Sequence, residues 1–341
     1  MKNVVFFVDL PFTNNEIFSN RYNRDRCLDP FIALKSHLSS LYVGINTQDI
    51  FNVDCADLII VENYKLIDNR YLSKAVLLAT ECSHLLPVLG SLEYHQSHLR
   101  SYTYQDKWID QKFFFPIRYC FNFPNSIPRY TYTNRKISCM IAGNKRCLHP
   151  GELYSERCKI VEWHEKNALA DFDLYGSGWD RPHKMAVSWL KRKLLYRKPF
   201  NYFFINRLGC YRGKVESKFE TMANYRFAYT LENANDIPGW VTEKIFDAMF
   251  AGCVPIYWGA PNISKYIPDN CYIHYEQFKS IADLHRYLKY MPESEYNQYL
   301  DAIEHFIQSP LIEPFTIKTF VNTLSKGICE LLDVPFCEYH G

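Results

Sequence analysis

Short, uninterrupted apolar runs recur through this chain, each separated from the next by a polar or helical stretch, and this rhythm restricts the fold more than any other feature. The first four are VVFFVDL at 4–10, LYVGI at 41–45, DLIIVEN at 57–63 and AVLLATE at 75–81. A strand with one wet face alternates apolar and polar residues. A strand without alternation is covered on both faces, as in a parallel α/β sheet. Between Tyr94 and Tyr119 the rhythm gives way to mixed aromatic and charged residues, and Pro124, Pro128 and TYTNRK at 131–136 read as a linker. It resumes with KISCMIAGN at 136–144, DFDLYG at 171–176, FAYTLEN at 227–233 and VPIYWG at 254–259. Helices are predicted from His149-Pro150 to Asn167, from Val241 to Gly252, and over 280–291, 294–308 and 316–332. The 341 residues are about twice the length of one domain. The expected architecture is α/β, with two parallel-sheet lobes at 1–133 and 134–310 and a C-terminal tail at 311–341 that packs across them.

Composition removes several function classes. With 39 Lys+Arg against 37 Asp+Glu the formal charge is +2, without the basic excess of a dedicated nucleic-acid binder. Hydrophobic residues at 48% exceed what a solvated, coreless chain carries. No stretch approaches the roughly 20 apolar residues of a membrane span. Residues 1–10 read as a first strand, since Asp9 and Pro11 interrupt the apolar run and no small-residue cleavage site follows. The twelve cysteines form no C-x-x-C pair and no Cys/His ligand spacing, so zinc is not indicated. Most lie in apolar runs, as free thiols do in a reducing compartment, which gives a cytoplasmic location.

The most informative segment is YRFAYTLENANDIPGWVTEKIFDAMFAGCVPIYWGAPNISKYIP at 225–268. A strand ends at Glu232-Asn233, a loop with Pro238-Gly239 follows, and a helix opens at Val241 with Thr242, Glu243 and Lys244 in its first turn. Open α/β sheets bind ligands beyond the carboxyl ends of their strands, and a helix start offers N–H groups and positive dipole potential to an anion. Val241, Ile245, Ala248, Met249 and Gly252 make the buried stripe. Lys244 offers a point charge to a phosphate, and Glu243 offers acceptors to a sugar diol, which suits a nucleotide sugar. The plainer alternative is that Glu243 complements the helix dipole and Lys244 is a solvated surface residue.

The ordered string Tyr225-x-Phe227, Glu232-Asn233, Val241-Thr242-Glu243-Lys244, Ala251-Gly252, Val254-Pro255, Gly259-Ala260 and Pro268 resembles the signature of the α-1,3/4-fucosyltransferases, glycosyltransferase family 10. The resemblance is strong from Lys214 to Pro268, weaker back to about Leu78, and slight in the first seventy residues. It implies the GT-B fold of two Rossmann-like domains facing a cleft, with an acceptor-binding N-terminal lobe and a donor-binding C-terminal lobe, a GDP-fucose donor, and inverting transfer without a metal or other cofactor. By that resemblance Lys244 faces the diphosphate, Glu243 faces ribose or fucose hydroxyls, and Asn233 and Thr242 line the same pocket. Where the family usually has Tyr before V-T-E-K this chain has Trp240, which keeps packing and loses a hydroxyl.

The resemblance also implies an arginine on the first helix of the donor lobe that grips the leaving diphosphate, and Arg157 stands in the similar position. Its spacing, four residues from both Leu153 and Val161, independently projects it from the apolar stripe. A guanidinium that covers the core with its stem, or pairs with a carboxylate, is the alternative. ATECSHLLP resembles the place where the family carries a proposed catalytic glutamate, so Glu81 is the candidate base for the acceptor hydroxyl, with His84 and Glu93 as substitutes. The acceptor implied is the 3-hydroxyl of N-acetylglucosamine or glucose in a glycan or glycolipid, in protein glycosylation or lipopolysaccharide synthesis. Transfer of another GDP-linked deoxyhexose, or a silent glycan-binding scaffold, are the rivals.

Two features read as decoys. Asp171-Phe172-Asp173 imitates a metal-binding D-x-D motif but runs into a strand and turn. Tyr175 and Gly176, followed by Ser177 and Gly178, offer backbone to a phosphate or make a tight turn. The stretch 181–215 holds ten Lys/Arg and no Asp or Glu, interleaved with aromatics. It reads as a peripheral contact with the inner face of a membrane, as a means of steering GDP-fucose, or as a solvated insertion; no nucleic-acid recognition motif accompanies it.

Overall fold

The computed structural model describes residues 1–63, 67–180 and 208–341. Of the basic-aromatic stretch 181–215, residues 181–207 lie outside the described residues. Two parallel sheets carry the fold. The first contains β1 (Lys2–Phe7), β2 (Val43–Thr47), β3 (Leu58–Glu62), β4 (Ala75–Ala79), β5 (Arg100–Thr103) and β6 (Phe114–Pro116), in the order β2-β1-β3-β4-β5-β6. The second contains β7 (Lys136–Ile141), β8 (Phe172–Tyr175), β9 (Tyr225–Tyr229), β10 (Val254–Tyr257) and β11 (Ile273–His274), in the order β11-β10-β9-β7-β8. Every pairing in both is parallel, from Val4 against Leu58 in the first to Met140 against Tyr229 in the second.

The unalternating apolar runs are what both-face burial requires: all five residues of β4 are fully buried. Helix α1 (Asp29–Ser40) covers one sheet, and α2 (Leu92–Gln96) precedes β5. Around the second sheet lie α3 (Tyr154–Asn167), α4 (Lys218–Met222), α5 (Glu243–Phe250), α6 (Ile281–Tyr290) and α7 (Glu293–Ile307). The last helix, α8 (Ile317–Leu332), returns to the first lobe. Its Phe320, Val321, Leu324, Ile328 and Leu332 recur at helical spacing and enter the core beneath β1 to β4. Phe320 meets Phe31 of α1 edge-on at 5.5 Å, and Arg100 bonds Glu330 at 2.9 Å.

Three local differences from the sequence reading have physical causes. The supposedly irregular stretch 94–119 contains β5 and β6, strands of four and three residues at the sheet edge, too short and too aromatic to show a period. Helix α3 starts at Tyr154 instead of near His149, because the Glu152 carboxylate accepts the Tyr154 and Ser155 N–H groups at 2.6 and 3.0 Å and fixes the first turn there. Helix α5 starts at Glu243 instead of Val241, because Thr242 is extended and its side chain is held by Glu232. All twelve cysteines are free thiols. Among the described residues no helix is long and apolar enough to cross a membrane.

Candidate functional site

In the second sheet the chain leaves β7 toward β8 on one side, and β9 then pairs on the other side of β7, so the crevice beyond β7 and β9 is the topological switch point. A cavity of about 550 Å³ opens there. Met140 to Gly143 line it from the end of β7, Tyr229 to Leu231 and Asn233 from the end of β9, and Trp240, Glu243 and Lys244 from the start of α5. Glu81 and Tyr119 close it from the other lobe. The cavity therefore unites Glu81, Arg157, Gly176, Asn233, Trp240, Glu243 and Lys244. Tyr175 and Thr242 are not part of this lining. Tyr175 turns its hydroxyl to Tyr225 at 2.8 Å, and Thr242 is buried with Oγ1 donating to Glu232 at 2.7 Å.

Glu81 lies just past the end of β4. Its N–H and that of Thr80 both donate to Asn63 Oδ1 at 2.7 Å, and the Tyr119 hydroxyl donates to the Thr80 carbonyl at 3.1 Å. The Glu81 carboxylate accepts the Cys82 N–H at 2.7 Å. Arg157 is 4% exposed, and Nη2 alone donates to the Leu231 and Glu232 carbonyls at 2.7 Å each and to Asn233 Oδ1 at 3.2 Å. The guanidinium lies 4.9 Å over the Tyr154 ring, and the residue lines the cavity. Its partners are carbonyls and an amide, not the carboxylate that a structural ion pair would need. Burial pulls its pKa below the usual arginine value while nearby Tyr154 and Glu232 oppose that change. An arginine stays charged through such shifts.

Two lysines and three carboxylates form the floor. Lys244 Nζ donates to the fully buried Glu232 at 3.0 Å and to Thr242 Oγ1 at 2.8 Å. Lys218 donates to Asp247 at 2.7 Å and stands 3.8 Å from Glu243. Burial works to raise the Glu243 carboxyl, but the Lys244 and Lys218 ammoniums outweigh it and hold it below the usual range. Asp247 moves the other way: burial raises it, Lys218 opposes, and the Glu243 charge adds to the rise. Burial disfavours the Lys218 charge, yet Asp247 and Glu243 push its pKa up to about 12. In the lining, Arg24, Lys145, Arg157, Lys214, Lys218 and Lys244 outnumber Glu81, Glu243 and Asp247, so the cavity favours an anion.

Lys218, Lys145 and Tyr119 were not singled out in the sequence. Lys145 follows β7 directly in the GNK turn, a strand-end position that could have marked it. Lys218 opens a helix of only five residues, where no periodic signal exists. The loops after β7 and β8 meet through Asn144 N–H donating to the Ser177 carbonyl at 2.9 Å and Asn144 Nδ2 to the Gly178 carbonyl at 3.0 Å. Gly176 has φ 123°, and a Cβ there would collide with the Ala142 carbonyl, so this glycine makes the turn that brings its backbone to the cavity. The D-x-D carboxylates serve separate clusters. Asp173 binds Lys136 and Arg212 at 2.6 Å each, whereas Asp171 binds His285 and Lys289 at 2.9 Å each. Glu93, a substitute base, bonds Ser91 at 2.7 Å at the start of α2 and is absent from the lining; so is His84, which meets Asp236 at 3.0 Å.

Residues 182–334 match the family described as glycosyltransferase family 10 (fucosyltransferase), C-terminal. Among curated relatives, the alpha-(1,3)-fucosyltransferase FucT of Helicobacter pylori is 36% identical over 89 residues, which are 26% of this chain and 18% of that protein. Human alpha-(1,3)-fucosyltransferase 7 is 29% identical over 114 residues, 32% of this chain and 33% of that protein. The matched stretches thus span about a fifth to a third of these relatives. Among solved structures, an α1,3-fucosyltransferase aligns with a TM-score of 0.59 at 16% identity over 97% of this chain and 90% of its own. An α1,3-fucosyltransferase with GDP-fucose aligns with a TM-score of 0.54 at 15% identity, over 100% of this chain and 93% of its own. T4 phage BGT in complex with UDP and Mn²⁺ aligns with a TM-score of 0.53 at 12% identity, over 98% of this chain and 100% of its own. At such identities the structural likeness speaks for the two-sheet GT-B fold alone. By the family match and the curated relatives, this chain is similar through residues 182–334 to glycosyltransferase family 10, the fucosyltransferases.

Proposed function

We propose that this protein transfers L-fucose from GDP-fucose to a hydroxyl of an acceptor glycan, with inversion at the anomeric carbon and without a catalytic metal. The observation that carries the reading is the single cavity in which Glu81 from one lobe meets Arg157, Glu243 and Lys244 from the other. Departure of GDP places new negative charge on the diphosphate. Arg157 and Lys244 offer charge-assisted donors to it, and Lys218 and Lys145 add to the positive potential. Glu243, kept ionised by its two lysines, accepts from sugar hydroxyls. Glu81 takes the proton of the acceptor hydroxyl as that oxygen attacks the face opposite GDP.

A second cavity of about 540 Å³ adjoins the first on the N-terminal side and shares Tyr119, Trp240 and Glu243 with it. Tyr104 and Phe121 join Trp240 in its lining, aromatic faces of the kind that pack on sugar rings. We assign it to the acceptor, with O3 of N-acetylglucosamine or glucose as the attacking group; the α-(1,3) linkage in the names of the relatives supports that choice. Thermal stabilisation by GDP over UDP and CMP, followed by GDP release from GDP-fucose with and without a panel of glycans, tests the proposal. Turnover that does not respond to Mg²⁺ or Mn²⁺ is expected. Equal stabilisation by all three nucleotides, or none by any, would overturn the donor assignment and favour a scaffold. Turnover of another GDP-deoxyhexose in preference to GDP-fucose would overturn the sugar.

A further inference from the structure

Away from the cavity, three side chains from three segments converge at the junction of the lobes. His84 follows the Glu81 loop of the first lobe, while His149 and Asp236 belong to the second. One ligand atom from each lies within 4.8 Å of the others. His84 Nε2 is 3.0 Å from Asp236 Oδ1, His149 Nδ1 is 3.7 Å from Asp236 Oδ2, and the two imidazoles stack at 3.5 Å between centroids.

The hydrogen bonding leaves this cluster unsatisfied. His149 Nδ1 accepts the Gly151 N–H at 3.2 Å, so it holds a lone pair, and it faces a carboxylate oxygen that also holds only lone pairs. The His84 side chain is 8% exposed, and its Nδ1 is buried without a partner. Two acceptors opposed in this way repel unless a cation lies between them. A tetrahedral ion with bonds of about 2.0–2.1 Å sets its ligand atoms roughly 3.4 Å apart. The separations of 3.0 and 3.7 Å straddle that value. The surroundings fix the arms. Asn235 N–H donates to the Gly151 carbonyl at 3.0 Å, Cys147 Sγ donates to the His84 carbonyl at 3.3 Å, and a side chain at Gly151 would strike the Asp236 carboxylate.

We propose that His84, His149 and Asp236 bind one divalent transition-metal ion of the zinc class, which staples the lobes beside the loop that carries Glu81. Two imidazoles and one carboxylate suit zinc and not magnesium, which prefers an all-oxygen shell. The three ligands include none of Glu81, Arg157, Glu243 and Lys244. The site stands independently of the fucosyltransferase reading, because its test uses no sugar.

The full chain, stripped of metal, is titrated with ZnCl₂ against a chromophoric chelator, and its melting temperature is followed. One Zn²⁺ per chain with a dissociation constant below about 10 µM, a rise in melting temperature, and no response to millimolar Mg²⁺ are expected. His149→Ala and Asp236→Asn, at half-exposed positions that tolerate change, each weaken Zn²⁺ binding by roughly 10–100-fold and leave GDP affinity within about twofold. Binding weaker than about 100 µM in the wild type, or Zn²⁺ affinity unchanged in both variants because the ion sits on exposed thiols such as Cys27, would overturn the assignment.

Discussion

Replacing Glu232 by glutamine tests the electrostatic reading of the cavity floor most directly. Glu232 is fully buried, and its carboxylate receives the Thr242 N–H at 2.8 Å, the Thr242 hydroxyl at 3.0 and 2.7 Å, and Lys244 Nζ at 3.0 Å. Glutamine keeps the shape but turns one acceptor oxygen into a donor that faces an ammonium. Removing one partner of a fully buried pair costs about 3–5 kcal/mol. The Lys244 side chain is 22% exposed and recovers part of its hydration, so the loss is set at about 2–3 kcal/mol. If the donor lobe unfolds as a unit, that lowers its melting temperature by roughly 5–10 °C. A bound diphosphate replaces the missing anion beside Lys244, so GDP stabilises Glu232→Gln by more degrees than it stabilises the wild type. Differential scanning calorimetry with and without GDP reads both effects. A melting temperature within about 1 °C of wild type, or a smaller GDP shift in the variant, would refute the argument that Glu232 is the counter-charge of a phosphate-binding lysine.

Glu81→Gln is expected to lower transfer by roughly 10²–10⁴-fold while GDP affinity, read by calorimetry, stays within about twofold, because only the proton acceptor is removed. Arg157→Lys keeps the charge and loses the fork; kcat falls by roughly 10²–10³-fold with a much smaller change in KM for GDP-fucose, the pattern of a contact that strengthens as GDP departs. GDP-fucose, whose diphosphate does not titrate near neutrality, binds more tightly as pH falls through the raised pKa of Asp247, since protonation removes a negative charge from the cavity, and Asp247→Asn flattens that dependence in an affinity–pH profile. The stability contribution of Asp247 has the same sense: with its folded pKa above the unfolded value, it is present at low pH and lost as pH rises through the folded pKa.

What the sequence revealed of the fold came from strands buried on both faces. An apolar run such as AVLLA at 75–79, bounded by Ser73-Lys74 and Thr80-Glu81 and too short for a helix, reads as a buried strand, and β7 to β10 were legible as similar short runs. β6 and β11 were not, because strands of three and two residues are too short for a period, and β5 was not because its four residues, RSYT, make no apolar run. The site divided similarly. Glu243 and Lys244 were visible through the ordered string around Val241-Thr242-Glu243-Lys244, since their place at a helix start also allows a plain structural use, and Arg157 through the same resemblance and its place on an apolar stripe. Lys218 and Asp247 were hidden, since their meaning lies in a contact between two helices that sequence spacing does not encode. Thr242 was seen as a pocket residue but serves Glu232 underneath the pocket. A β-branched hydroxyl next to two charged residues gives no sign of which way it turns.

The proposed transfer needs a carboxylate of one lobe to meet cations of the other, so the ties between the lobes belong to the site as much as its lining does. They converge on the loop between β9 and α5. Trp240 packs edge-on against Tyr104 at 4.5 Å and Tyr119 at 5.8 Å, and both tyrosines also hold the Glu81 loop, Tyr104 through the Ser83 N–H at 2.9 Å and Tyr119 through the Thr80 carbonyl at 3.1 Å. Gly239 has φ 81°, and a Cβ there would strike the Tyr104 carbonyl, so the first lobe reaches the backbone of the donor loop itself. Close by, Asp106 of the first lobe accepts from Asn262 Nδ2 at 2.6 Å and from the Tyr266 hydroxyl at 2.7 and 2.6 Å, and it pairs with Arg118. Asn262 in turn accepts the Gly239 N–H at 2.8 Å. The base loop and the donor loop therefore share the aromatic residues that pack between them. If a donor bound at the start of α5 shifts Trp240, these contacts carry the shift to the tyrosines that hold the Glu81 loop.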